Sequence, residues 1–225
     1  MSDLASSPTE RYKNQTVAQG YDARRFGTFT GRLFNMLERR LIRRAFAGLR
    51  AGAIVVDVPC GTGRLADILL ELDYQVCGAD ISPAMLDVAQ GRLAQYGTRF
   101  RPMECDALAL PQQGTMFDAS LCARLLFHFP MTTQVAFLRA IASATRERVV
   151  FTHSLDTPFH RGRRAVKRML GHRPPARYPV TPAELQSLIQ AAGLKEIHRF
   201  QVLPVISEAM VFVCTPAAGG RLPNK

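Results

Sequence analysis

The chain has 225 residues, 47% of them hydrophobic, enough for one compact domain with a full core, two small domains being the alternative. No stretch approaches the roughly 20 apolar residues that cross a bilayer. The polar start MSDLASSPTERYKNQ lacks the apolar core of a secretory signal, so the cytoplasm is the expected compartment. Lys and Arg number 29 against 18 Asp and Glu, a formal charge of +11. Such a balance favours anionic partners, whether nucleic acid, a membrane surface or an acidic substrate, although it also serves solubility alone. The five cysteines (Cys60, Cys77, Cys105, Cys122, Cys214) form no CxxC and no Cys/His cluster, so neither a disulfide framework nor a metal site is expected.

In chain order, residues 1–8 read as disordered, and Glu10 to Leu49 is helical in character. Leu33, Met36, Leu37, Leu41 and Phe46 fall on one helical face, with Arg39, Arg40, Arg43 and Arg44 mostly on the other. Ala51-Gly52 break that pattern, and strands then alternate with helices. AIVVDV, YQVCGADI, RFRPMECD, MFDASLCARL and ERVVFTHS read as strands; RLADILLEL, PAMLDVAQGRLAQY and TTQVAFLRAIASATR read as helices. TPAELQSLIQAAG begins another helix, with Thr181 as N-cap, Pro182 in the first turn and Gly193 as the stop. KEIHRFQVLP and SEAMVFVC predict a closing antiparallel strand pair. The pattern predicts an α/β fold: a mostly parallel sheet with helices on both faces. Four regions are expected within a single domain: a helical cap over 1–50, a core over 51–155, a basic insertion over 156–180, and a helix with a strand pair over 181–215. The insertion stands out because residues 157–180 hold seven Lys or Arg and no acid.

Ligands of open α/β sheets bind at the carboxyl ends of the strands. The first such loop is Asp57-Val58-Pro59-Cys60-Gly61-Thr62-Gly63, where Gly61 and Gly63 let the backbone turn tightly near a ligand at a helix start. Gly61-x-Gly63-x-x-Ala66 on its own also fits a dinucleotide fingerprint. Asp57 discriminates, because a carboxylate four residues before the first glycine would oppose a pyrophosphate. It suits a ligand carrying an ammonium and a sulfonium, which favours S-adenosylmethionine (SAM) over NAD. A purely structural Asp57 bonded to loop amides is the competing role. Asp80 ends the second strand, where an acid accepts bonds from ribose hydroxyls, and Ser82-Pro83 then caps the next helix. Asp106 ends the third strand, either accepting from an adenine amino group or capping a helix.

The segments DVPCGTG, GADIS, ECDAL and FDASLCARLLFHF occur in the order and spacing of class I SAM-dependent methyltransferases. The chain resembles their small-molecule branch, which includes ubiquinone and menaquinone biosynthesis methyltransferases, over roughly residues 17–155. The resemblance implies a Rossmann-like seven-stranded sheet whose last strand is antiparallel. It also implies SAM contacts from Tyr21, Asp57, Gly61, Gly63, Asp80, Ile81, Asp106, Ala107 and the segment ending at Arg124. Pro59 departs from the family's usual glycine and removes one amide donor from the loop.

Methyl transfer from a sulfonium needs alignment and water exclusion, and a base only where the acceptor carries a proton of high pKa. His128, after the fourth strand, and His153, at the end of the fifth, are the candidates; packing or cofactor orientation is the alternative for His128. The aromatic-flanked Asn/Asp-Pro-Pro turn of nucleic-acid amino methylases is absent, as CARLLFHF stands in its place. A small-molecule or lipid-like acceptor, anionic in one version, is therefore the expected substrate, methylated on O, N or C. The alternatives are an RNA methyltransferase or RNA-binding SAM protein, a nucleotide-linked oxidoreductase, and a SAM-binding protein without catalysis. No separate RNA-binding module appears. In the insertion, Val166, Met169 and Leu170 share a helical face flanked by Arg163, Arg164, Lys167 and Arg168. That helix suits a peripheral membrane contact or a pocket roof, against an ordinary helix packed by its apolar side.

Overall fold

The computed structural model describes residues 27–169, 171, 178–203 and 207–217. Tyr21, the helical expectation before Gly27, and Leu170 lie outside them.

Short β-branched runs become the centre of a seven-stranded sheet: β1 (Ile54–Asp57), β2 (Gln75–Asp80), β3 (Phe100–Glu104), β4 (Phe117–Cys122), β5 (Thr145–Ser154), β6 (Leu194–Gln201) and β7 (Ala209–Pro216). The order is β3-β2-β1-β4-β5-β7-β6, and β7 runs antiparallel to both of its neighbours. The Rossmann-like expectation is met, with one antiparallel strand closing a parallel sheet.

Successive strand residues feed opposite faces. Val55, Val76, Leu121 and Val150 pack under α1 (Phe29–Phe46), α2 (Ala66–Glu71) and α3 (Pro83–Arg92). Val56, Cys122, Val149 and Phe151 pack under α4 (Met131–Ser143) and, beyond the basic α5 (Pro158–Met169), under α6 (Pro182–Ala191). Thr181 caps α6 in a reciprocal box with Glu184, and Gly193 follows the helix at φ 70°, as the sequence predicts.

Two helices depart from their sequence patterns. In α1 the buried residues are Glu38, Ile42, Ala45 and Phe46, whereas Leu33 and Met36 of the expected apolar face are exposed. Contact with the sheet comes from the C-terminal half of the helix, so the first turns carry their apolar residues past it. In α5 the roles of charge and hydrophobe are exchanged. Arg163 pairs with Glu208, Arg164 pairs with Asp156 and Glu208, and Phe159, Val166 and Met169 face solvent. The ordinary helix packed by its apolar side is therefore not what forms.

Candidate functional site

The loops after β1, β2, β3 and β4 meet above the sheet around a cleft of about 370 Å³. β1 lies between β2 and β4, with Asp57 in register with Gly78 and Leu121, so its C-terminal end opens at the middle of the cleft. The chain leaves β1 tethered on both sides. The Val58 N–H donates to the Leu121 carbonyl and the Cys60 N–H to the Ala79 carbonyl, each at 2.8 Å. Gly61 and Gly63 then take φ of 53° and 72°, which L side chains rarely adopt. Their jobs differ. Gly61 faces the cleft with open space where a Cβ would stand, whereas a Cβ on Gly63 would lie 2.8 Å from Leu93 Cδ1. Gly63 thus permits close packing against α3 and is not among the lining residues.

Asp57 is 1% exposed and lines the cleft, and among the described residues neither of its carboxylate oxygens has a hydrogen-bond partner. Burial pushes its pKa up to about 8; the Arg64 guanidinium opposes that rise, the Asp80 charge adds to it, and the Ala66 backbone amide opposes it in turn. An unsatisfied buried carboxylate is costly, and a proton or a ligand cation would relieve that cost. Asp80 is buried but satisfied, accepting from the Gly61 N–H on Oδ2 at 2.8 Å and from the Ser82 N–H on Oδ1 at 3.0 Å. Burial raises its pKa, and the Gly61, Ser82 and Ile81 amides moderate the rise. Each of its oxygens keeps a second lone pair for a further donor. Asp106 is exposed and caps the short 3₁₀ turn Ala107–Gln113, accepting from the Leu108 N–H on Oδ1 at 2.9 Å. Ile81 and Ala107 line the cleft between these acids.

The fourth loop contributes Arg124 and His128, both lining the cleft. Arg124 adopts φ 62° without being glycine, held by its own N–H on Thr152 Oγ1 at 2.8 Å. Its guanidinium lies on Glu38 of α1 and 5.3 Å from the centre of the Phe34 ring. His128 is half-buried, its ring 4.5 Å from that of Phe127. His153 is not brought to the cleft. It is 1% exposed, Nδ1 accepts from the Ser154 N–H at 2.8 Å, and Nε2 donates to Gln134 Oε1 at 2.9 Å. Burial pushes its pKa down to about 4, so it is a neutral strut between β5 and α4. Gln134 Nε2 continues the strut to the Phe129 carbonyl at 2.8 Å.

Pattern reasoning missed two site residues, Arg64 and Glu38. Arg64 lines the cleft immediately after Gly63, and its guanidinium donates to Asn35 and to Glu38 Oε2. Its place beside the glycine loop was the available signal. Glu38, inside the charged run LERRLIRR, has the pattern of a solvated helix face and carried no signal at all. The aromatic wall of Phe129 and Phe137 was likewise unmarked, since both read as ordinary core positions.

Residues 55–148 match the family model described as a methyltransferase domain. Over those residues the chain is similar to methyltransferase domains. A ubiquinone biosynthesis O-methyltransferase of Xanthomonas axonopodis pv. citri is 38% identical over 95 residues, 41% of this chain and 38% of that protein. The chain thus spans well under half the length of such relatives. Two solved structures share the domain's fold at 19% identity. Magnesium protoporphyrin IX methyltransferase of Synechocystis, with bound S-adenosylhomocysteine (SAH), superposes with a TM-score of 0.72, covering 93% of this chain and 97% of that one. The 1,6-didemethyltoxoflavin-N1-methyltransferase of Burkholderia thailandensis gives 0.68, over 97% and 93%.

Proposed function

We propose that the chain is a SAM-dependent methyltransferase acting on a small-molecule acceptor. The observation that carries this is Asp57, a buried carboxylate without a hydrogen bond among the described residues, set in the cleft behind a glycine turn. A cation is the ligand such a group lacks, and a pyrophosphate is what it would repel. The residues present fit SAM along its whole length. Asp57 suits the positive end, the free lone pairs of Asp80 suit a ribose, and Asp106 Oδ2 suits an exocyclic amine, because only its Oδ1 serves as the cap. When bound, SAM supplies an activated methyl carbon. The chain's own work is to hold and dry that site: the Gly61 turn admits close approach, and Leu125, Phe129 and Phe137 present an apolar wall. His128 is the histidine on the cleft among the described residues, and it serves as acceptor-orienting group or base where the acceptor carries a proton.

Calorimetry with SAM and SAH tests the cofactor, and transfer of a labelled methyl group to hydroxylated aromatic acceptors tests the reaction. Binding of SAH with turnover is expected. Tight NAD binding with no response to SAH would overturn the reading.

A lipid-like or anionic acceptor, taken by a cytoplasmic enzyme peripheral to a membrane, is favoured by α5. Phe159, Val166 and Met169 are exposed on it beside the exposed Arg161 and Arg168, a mixture suited to an interface. Among the described residues no helix is long and apolar enough to cross a membrane. Flotation with anionic vesicles, reversed by salt, is the expected behaviour; indifference to anionic lipid would remove this element.

A further inference from the structure

We propose that Glu38 is a positioning residue for the cofactor cleft, coupling the docking of α1 to the shape of the loops that follow β1 and β4. This rests on the cofactor assignment above. Among the described residues α1 contributes nothing to the cleft's lining, yet Glu38 reaches the two cleft loops from behind. Its Oε2 accepts from Arg64 Nη2 at 2.8 Å and from Arg124 Nη2 at 2.7 Å, and its Oε1 accepts from Arg124 Nε at 3.1 Å. One carboxylate, 2% exposed, therefore joins two guanidinium groups whose side chains are 12% and 14% exposed.

The two arginines sit at the mechanically sensitive points of the site. Arg64 follows Gly63, whose φ of 72° closes the glycine turn. Arg124 itself holds a left-handed φ of 62° just after β4, a conformation that needs support from its surroundings. Thr152 supports its backbone and Glu38 its side chain. The shared carboxylate between them offsets the repulsion of two like charges this poorly hydrated. Burial alone would raise the pKa of Glu38. The charges and hydrogen bonds of Arg124 and Arg64 outweigh that and hold it below the ordinary carboxylate range. An ordinary surface ion pair on the same helix supplies the contrast, since Arg43 meets Glu71 where both side chains are substantially exposed.

The experiment uses the full chain. SAH titration of Glu38→Gln is expected to show about tenfold weaker binding, with Arg43→Ala as the control that keeps wild-type affinity. Hydrogen exchange of the wild type supplies a second readout, one that a merely structural contact would not move. SAH should slow exchange across residues 29–46, although that helix does not line the cleft, and the protection should be absent in Glu38→Gln. A folded Glu38→Gln with wild-type affinity overturns the coupling while leaving the cofactor assignment intact. So does unchanged exchange in α1 of the wild type, which settles the matter even if the variant fails to fold. A wild type that binds no SAH overturns both.

Discussion

Asp57 and Glu38 are both buried carboxylates, 1% and 2% exposed, and both belong to the surroundings of one cleft. Glu38 is fully engaged by two arginines and is held ionised, its pKa below the ordinary range. Asp57 makes no hydrogen bond to a described residue, and its pKa is pushed up to about 8. The same functional group in the same degree of burial thus serves opposite ends. Where two guanidinium groups bond the carboxylate directly, it builds structure; where Arg64 acts on it without a direct bond, the carboxylate stays available to a ligand cation.

The comparison breaks most visibly at Glu38. Glu38→Ala strands two partly buried guanidinium groups, and a loss of about 3–5 kcal/mol of stability is expected, read as a lowered midpoint in denaturant. A change within experimental error would mean that the pair is not structural. Asp57→Asn should do the reverse. It removes a group that resists ionisation, so thermal stability at pH 8 or above should hold or rise. SAH affinity should fall by about 2–5 kcal/mol, roughly 30- to 5,000-fold, because the ligand's ammonium loses its partner. Asp80→Ala lies between the two. It deletes the acceptor for the Gly61 and Ser82 amides as well as a ribose partner, and about 1.5–3 kcal/mol of SAH affinity should go with it. Retained affinity would show that the ribose is held elsewhere.

The linkage signs separate the two acids further. Glu38, with its folded pKa depressed, contributes stability that is present above the ordinary carboxylate range and is lost as pH falls through its lowered value. Asp57, with its folded pKa raised, makes the fold less stable as pH climbs from the ordinary carboxylate range towards about 8.

Much of the cleft was legible because its polar residues sit at strand ends. Alternation of β-branched runs and amphipathic helices placed Asp57, Asp80 and Asp106 on one edge of the sheet, which is where the structure has them. Glu38 was not legible. Helical periodicity assigns a glutamate among arginines to solvent, and only the crossing of α1 over the sheet turns it inwards. The same limit applies to α5, where Arg163 and Arg164 face Asp156 and Glu208 and the hydrophobes are left outside. His153 failed for another reason. Its position at the end of β5 suggested the ligand edge, but the side-chain alternation of β5 points it at Gln134 on α4. Periodicity tells which residues share a face; it does not tell which charged partner waits behind that face.

With the Asp57 pKa raised to about 8, a ligand cation at that carboxyl should displace a proton. Calorimetric titration of SAH at pH 7, repeated in two buffers of different ionisation enthalpy, counts the protons displaced. Close to one proton released per SAH bound is expected, with affinity rising as pH is raised from 6 towards 8 by up to about tenfold per unit. Binding with no proton release and a flat pH profile over that range would contradict it.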